Sequence, residues 1–209
     1  MLYPVIRNNG VKVTKWSSLA YSCTKLSLQA LTISDVKLVS ASRISDFRGY
    51  FAETYVRDDF AAAGLDYDFV QDNDSRSNSA GTNCGLHFQA PPFAQTKLVR
   101  ILQGRILDVV VDLRRSSPSY GKHIAIELNE AAGDQLLVPA GFAHGFCTLE
   151  NHTTVFYKVD QLYSADHERG ISWADPSLAI EWLVASEQAI VSEKDRRLPC
   201  FQDLPVYFE

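Results

Sequence analysis

Apolar and polar residues alternate along much of the chain beyond residue 34, which is typical of β-strands with one buried face. The alternation is clearest in DVKLVSASRI (35–44), HIAIEL (123–128) and TTVFYKVDQLY (153–163). These strands are short, and turn-forming residues separate them. The pattern therefore predicts an all-β barrel or sandwich.

Glycines divide two further apolar regions. The runs LVRILQ (98–103) and RILDVVVDL (105–113) flank Gly104, and this arrangement predicts a β-hairpin. The segment AGFAHGF (140–146) predicts a glycine-bearing turn.

Helical signals are short. The segment DDFAAAGL (58–65) predicts one helix, with Asp58 or Asp59 as its N-terminal cap. Residues 175–182 and 186–197 predict helical turns on the outside of the barrel. Nothing in the 209 residues indicates a repeat or a linker, so we expect a single main domain.

Composition and charge narrow the possible partners. The net charge of −5 gives no broad basic surface for nucleic acid, so a local group of Arg, Lys and His must bind any anionic ligand. No apolar run approaches the roughly 18 residues of a membrane span, and no signal peptide is evident. The four cysteines form no CxxC pair. We expect a cytoplasmic protein with reduced thiols that binds neither nucleic acid nor membrane.

The histidines do not form a metal-binding pattern. Small barrels that bind metals usually carry His-x-His on one strand, because alternate residues face the same side. The residue two positions after His87 is Gln89, and His144 is distant in sequence. We therefore expect no metal.

Several polar residues allow two interpretations. His87 and Lys97 lie close together in sequence and are candidates for acid–base chemistry, but an isolated histidine is also a common core residue. Tyr157 shares a strand face with Val155 and Val159, so it is either a functional phenol or part of the core. Arg48 and Arg100 are candidate anion ligands or surface ion-pair partners. The chain has no P-loop, GxGxxG or GxSxG motif, which argues against common nucleotide-binding and hydrolase folds.

Eight fragments, taken in order, resemble the dTDP-4-dehydrorhamnose 3,5-epimerase family. They are DFRGYFAETY, FVQDNDSRS, GLHFQAPPFAQTKLVR, DVVVDLRRSSPSYGK, LLVPAGFAHGFCTLE, VFYKVDQLYS, ERGISWADPSLAIEW and VSEKD. The resemblance covers residues 33–196. It implies a cupin-type double-stranded β-helix (a jelly-roll barrel) with short peripheral helices, and an isomerase without metal or organic cofactor.

The resemblance also implies a substrate and a reaction. The family acts on nucleotide-linked 4-keto-6-deoxyhexoses, in which the ketone acidifies the C–H bonds at C3 and C5. His87 matches the base, and Asp195 resembles its carboxylate partner, which would orient the ring. Lys97 matches the cation near the enolate oxygen. Tyr157 matches the acid that protonates the opposite face.

The family motifs further imply a set of substrate-binding residues. These are Arg48, Phe51, Glu53, Gln71, Asn73, His144, Tyr163 and Glu168. The segment around Arg48 often comes from a second subunit in the family, so we expect a homodimer with segment exchange at the active site. The guanidinium of Arg48 suits a diphosphate, because it can donate to two oxygens.

One position departs from the family pattern. The family usually has arginine before Gly-Leu-His, where this chain has Cys84. The loss of a bidentate donor leaves several alternatives open: a shifted substrate preference, epimerisation at C3 or C5 alone, or weakened activity. A non-catalytic sugar-nucleotide binding cupin and a metal-dependent cupin dioxygenase are further alternatives. We expect Cys84 itself to be inert.

The division of the chain follows the extent of the resemblance. We expect residues 1–32 to be an N-terminal extension of unknown role. Residues 33–209 are expected to form one cupin-like epimerase domain.

Overall fold

The computed structural model describes residues 26–209, and residues 1–25 lie outside the described part of the chain. Most of the predicted N-terminal extension, including Cys23, is therefore not described. The strands are β1 (Leu26–Ala30), β2 (Lys37–Ala41), β3 (Arg43–Asp46), β4 (Gly49–Ala52), β5 (Gln71–Ser77), β6 (Thr82–Gln89), β7 (Lys97–Gln103), β8 (Arg105–Asp112), β9 (His123–Asn129), β10 (Gln135–Val138), β11 (Phe142–Thr148), β12 (Thr153–Val159), β13 (Glu168–Gly170) and β14 (Ile190–Val191). The helix α1 spans Arg57–Ala62, and the 3₁₀ turns are Ala165–His167, Ser186–Gln188, Asp195–Arg197 and Phe201–Asp203.

Two sheets form the barrel. The front sheet has the order β1-β2-β10-β7-β12-β5, and the back sheet has the order β13-β6-β11-β8-β9 with β14 beside β6. Strands β3 and β4 form a separate hairpin. The pairs are antiparallel except for β14 with β6. The all-β prediction is confirmed. The 3₁₀ turns at Ser186–Gln188 and Asp195–Arg197 match the helical turns predicted over 186–197, although β14 lies between them, whereas residues 175–182 form turns and no helix.

The main core lies between the two sheets. Val99 and Val155 from the front sheet pack there with Ile106, Val110 and Phe146 from the back sheet. A second apolar cluster covers the outer face of the back sheet, under the C-terminal segment. Strand β8 is therefore buried on both faces, which explains its nearly continuous apolar sequence.

The predicted hairpin around Gly104 is wrong. Strand β7 pairs with β10 and β12 in the front sheet, whereas β8 pairs with β9 and β11 in the back sheet. Gly104, with φ +82°, lies where the chain crosses between the sheets. A Cβ there would lie 2.5 Å from the hydroxyl oxygen of Thr153, so the crossing requires glycine.

Two further expectations are also corrected. AGFAHGF is largely strand β11 and not a turn, because its residues are buried on both sides and therefore show no alternation. Helix α1 is capped by Val56 without a side-chain hydrogen bond. Asp58 and Asp59 lie in its first turn, where carboxylates interact favourably with the helix dipole. No helix within residues 26–209 has the length and apolar character needed to span a membrane.

Gly145 in β11 gives a test of the packing between strands. An alanine Cβ there would lie 2.7 Å from the carbonyl oxygen of Cys84 and 3.2 Å from Cα of Gly85, both of which are backbone atoms. We expect Gly145→Ala to lower the free energy of unfolding by about 3 kcal/mol. Urea denaturation measures the loss.

The matched control is Gly64→Ala. A Cβ at Gly64 would meet nothing within 4 Å, although its φ is +83°. We expect a loss of about 1 kcal/mol from the left-handed backbone alone. Equal losses in the two variants would contradict the steric explanation.

Candidate active site

A cavity of about 360 Å³ opens between the sheets, and most of the polar residues predicted to be functional line it. His87 projects into it from β6 of the back sheet, whereas Lys97 and Tyr157 project from β7 and β12 of the front sheet. The other predicted residues in its lining are Gln71, Asn73, His144, Tyr163 and Glu168.

His87 is paired with Asp195. Its Nε2 lies 3.0 Å from Oδ1 of Asp195, which is the first residue of a 3₁₀ turn and is buried. A carboxylate only accepts, so Nε2 carries the ring proton. Nδ1 is buried, makes no hydrogen bond within residues 26–209, and lies 3.8 Å from Oε1 of Glu168.

The environment of His87 favours a neutral imidazole. Burial lowers its pKa below the usual value, and the negative charge of Asp195 opposes this effect in part. A neutral, oriented imidazole has a lone pair that can accept a proton.

Lys97 is a cation without a fixed partner in the described chain. Its side chain makes no ion pair or hydrogen bond with residues 26–209. Burial lowers its pKa to about 8, although Asp108 and Glu168 attract the ammonium and partly offset the effect. Lys97 can therefore hold a positive charge near neutral pH and donate to a ligand oxygen.

Tyr157 faces the same cavity from the strand beside Lys97. It is half-buried, as the alternation of β12 predicted, and the register pairs it with Val99 of β7. Burial raises the pKa of the phenol above its usual value. The raised pKa keeps the phenol protonated near neutral pH, and its hydroxyl makes no hydrogen bond with any residue of the described part.

His144 lies directly opposite His87 in the pairing of β11 with β6. Its Nε2 donates to Oδ1 of Asp108 over 2.7 Å, and both residues are buried. Sequence reasoning missed Asp108. The available signal was an aspartate within the apolar run RILDVVVD.

Glu168, Tyr163 and Lys194 form the rim. The Tyr163 hydroxyl donates to Oε2 of Glu168 over 2.7 Å, and Lys194 Nζ lies 2.6 Å from the same oxygen. Burial raises the pKa of Glu168, but hydrogen bonds from Lys194 and Tyr163 outweigh it, so the pKa is lowered. Lys194 was also missed, although it directly precedes Asp195 in the SEKD motif.

Gln71 and Gln89 hold the loop that carries Tyr163. Gln71 Oε1 accepts from the Tyr163 amide over 3.1 Å, and its Nε2 donates to Asn73 Oδ1 over 2.8 Å. Gln89 Oε1 accepts from the Ser164 amide over 2.6 Å. The side chains of this wall are therefore fixed by the protein before a ligand arrives.

Arg48, Phe51 and Glu53 are not brought to the cavity within one chain. Arg48 lies in the turn of the β3–β4 hairpin, where its Nε donates to Oδ2 of Asp46 over 3.0 Å. Phe51 is exposed on β4, and Glu53 follows that strand. The hairpin also exposes Phe47, whose relative exposure is 98%.

Cys84 lies in the cavity wall. Burial raises the pKa of its thiol to about 11, so the group is neutral at physiological pH and a poor nucleophile. Cys84, Cys147 and Cys200 are free thiols. Within residues 26–209, no three His, Cys, Asp or Glu side chains are grouped so that they could hold a metal ion.

Comparison with known proteins identifies the relatives of the chain. Residues 30–203 match the family model for dTDP-4-dehydrorhamnose 3,5-epimerase. A protein of that name from Sinorhizobium fredii is 48% identical over 181 residues, which cover 87% of this chain and 92% of the relative.

Solved structures agree with the sequence match. A Bacillus anthracis dTDP-4-dehydrorhamnose 3,5-epimerase with TDP and PPi bound has a TM-score of 0.82 and 48% identity, covering 84% of this chain and 99% of that one. A Legionella pneumophila dTDP-6-deoxy-D-glucose-3,5-epimerase in complex with dTDP-4-keto-L-rhamnose has a TM-score of 0.82 and 33% identity, covering 86% of this chain and 95% of that one. These matches confirm the resemblance found in the sequence and the cupin-type fold.

The pairing of Asp195 with His87 is testable by titration. A nearby negative charge stabilises the imidazolium, so Asp195→Asn should lower the pKa of His87 further, by about one unit. NMR of the histidine ring signals against pH measures the shift. The control is Asp175→Asn, a buried aspartate that bonds Ser177 and Phe201 instead. An unchanged His87 titration in Asp195→Asn would contradict the pairing.

Proposed function

Because the chain belongs to the dTDP-4-dehydrorhamnose 3,5-epimerase family, we propose that it inverts C3 and C5 of a dTDP-linked 4-keto-6-deoxyhexose. The observation that carries the proposal is the convergence of His87, Lys97 and Tyr157 on one cavity. The protein is an isomerase, and in the proposed reaction these groups act without a cofactor.

In the proposed reaction, His87 is the base. The ketone at C4 acidifies C3–H and C5–H, and the imidazole nitrogen that Asp195 does not face accepts one of these protons. The electron pair of the broken C–H bond passes to the carbonyl oxygen and forms an enolate. Asp195 keeps the ring in one orientation and stabilises the imidazolium that results.

Lys97 would stabilise the enolate. Its ammonium has no ion-pair partner in the described chain, so it can donate to an oxygen that gains charge in the transition state. A preformed cation in a partly dehydrated cavity is most effective for this purpose, because it does not need to reorganise.

Tyr157 would complete the inversion. It lies on the sheet opposite His87, so it can return a proton to the other face of the sugar carbon. Its raised pKa keeps the phenol protonated until that step, and exchange with solvent restores both groups. Acid–base groups of this kind contribute roughly a hundred- to ten-thousand-fold each.

The remaining cavity residues would bind the substrate. We assign sugar or nucleotide contacts to Gln71, Asn73, His144, Tyr163 and Glu168. This assignment is supported by their position in the same cavity as His87.

A second copy of the chain would supply Arg48, Phe51 and Glu53. The β3–β4 hairpin exposes Phe47, Tyr50 and Phe51, which favours burial against another molecule. No arginine lies among the residues that line the cavity of the described chain, so a diphosphate would gain a bidentate donor from the hairpin of the partner. We therefore propose a homodimer with exchanged hairpins. The expectations of a cytoplasmic location and of no nucleic-acid or membrane partner stay predictions.

Hydrogen exchange in heavy water tests the reaction. We expect solvent deuterium at both C3 and C5 of a dTDP-4-keto-6-deoxy sugar, with inversion at both carbons, detected by NMR of the product. His87→Ala should lower exchange by a factor of about a thousand or more while still binding dTDP. Label at one carbon would favour a single-carbon epimerase. Ligand binding without exchange in the wild type would contradict an enzymatic function.

The same assay addresses Cys84. GDP- and UDP-linked 4-keto sugars, compared with the dTDP-linked sugar, show whether the neutral residue shifts the nucleotide preference. Stoichiometric iron or zinc by metal analysis would favour a metal-dependent cupin instead.

Mixed dimers test the exchanged hairpin. Arg48→Ala and His87→Ala should each be nearly inactive alone. In a mixed dimer, one of the two sites would combine the intact His87 of one chain with the intact Arg48 of the other. Co-expression in equal amounts should therefore restore about a quarter of the wild-type rate. No restoration in isolated mixed dimers would show that Arg48 does not act across subunits.

A further inference from the structure

Asp108 is a buried carboxylate that the proposed reaction does not use. It projects from β8 into the main core, on the same face as Ile106 and Val110, and its relative exposure is 0%. One oxygen, Oδ1, accepts the 2.7 Å hydrogen bond from His144. The other oxygen, Oδ2, is buried and has no hydrogen-bond partner within residues 26–209.

Burial of the Asp108 carboxylate in the core costs free energy. An ionised carboxylate in an apolar core is destabilising unless it is paired and hydrogen-bonded. An apolar residue at this position would extend the core formed by Ile106 and Val110. Only one oxygen of this carboxylate is hydrogen-bonded within the described residues, so we looked for a role of Asp108 in the neighbouring active site.

Two groups of the site interact with Asp108. The hydrogen bond to Oδ1 places the proton of His144 on Nε2 and fixes the ring directly opposite His87. Lys97 projects from the opposite sheet and makes no ion pair, and Asp108 exerts the largest electrostatic attraction on its ammonium.

We propose that Asp108 is a positioning residue: it fixes the ring of His144 through Oδ1, and its buried carboxylate, whose Oδ2 is unpaired in the described chain, supplies a negative charge that offsets the ammonium of Lys97. The inference rests on the proposed epimerase function, in which the Lys97 charge stabilises the enolate. Asp108 does not line the cavity, so it acts through these two residues and not on the substrate.

A pH dependence follows from this arrangement. The pKa of Lys97 is about 8, lowered by burial and supported by Asp108 and then Glu168. Removal of the Asp108 charge lowers this pKa further, so the ammonium is lost at a lower pH. The other titratable groups that share the cavity with Lys97 are Cys84 and His87 from β6, His144 from β11, Tyr157 from β12, Tyr163 and, from β13, Glu168.

The test compares the pH profiles of kcat for the wild type and Asp108→Asn. Asparagine preserves the shape and an acceptor for His144 but removes the charge. We expect the alkaline limb to move to lower pH, kcat at pH 8 to fall on the order of tenfold or more, and KM to change by less than about threefold. An alkaline limb at the wild-type position would overturn the proposal.

The matched control is Asp112→Asn. Asp112 lies on the same strand with the same 0% exposure, but it bonds Arg114, Ser117 and Ser119 away from the cavity. This variant should lose stability while its alkaline limb stays in place. If both variants shift the limb equally, the effect is structural and the assignment of Asp108 fails.

Asp108→Glu tests the same assignment if Asp108→Asn does not fold. Asp108→Glu retains the charge, so its alkaline limb should stay near the wild type even where kcat falls. A limb moved to lower pH in Asp108→Glu would contradict the proposal. Failure of the proposed function appears separately, as wild-type protein that exchanges no deuterium.

Discussion

The proposed active site depends on the burial of ionisable groups in the folded barrel. In water, the carboxylates of Asp195 and Asp108 would interact weakly with imidazoles, because the solvent screens charge. In the folded protein both carboxylates are buried, and each is paired with one histidine. Burial lowers the pKa values of His87 and Lys97 and raises that of Tyr157. The apolar core therefore sets the protonation states on which the proposed chemistry relies.

Strand register converts this environment into geometry. The pairing of β6 with β11 places His87 opposite His144, and residues paired directly across neighbouring strands face the same side of the sheet. On the facing sheet, the pairing of β12 with β7 places Tyr157 beside Val99, two residues from Lys97. A slip of one residue in either pair would turn a reactive side chain away from the cavity. The backbone hydrogen bonds of the sheets thus fix the site before any ligand binds.

The alternation of polar and apolar residues predicted individual strands and the faces on which their side chains lie. The inward position of Tyr157 follows from the polar and apolar period of β12 alone. The partners of β7 and β8 did not follow, because a glycine between two apolar runs fits both a hairpin and a crossing between sheets. Strand β11 was missed since burial on both faces removes the alternation. Asp108 and Asp112 both lie in the apolar run of β8. Asp112 bonds Arg114, which is two residues away, whereas the partner of Asp108, His144, is 36 residues away and is brought close only by the pairing of β8 with β11.

The balance of charge in the cavity links the proposed chemistry to subunit association. Lys194 is already engaged by Glu168 over 2.6 Å, and the thiol of Cys84 is neutral. Lys97 is assigned to the enolate, so the lining of the described chain leaves little positive charge for a diphosphate. A bidentate donor on an exposed hairpin meets this need if it enters from another molecule. The catalytic groups can then be complete in one chain while nucleotide binding depends on two, so truncation of the hairpin would affect KM before it affects the proton-transfer groups.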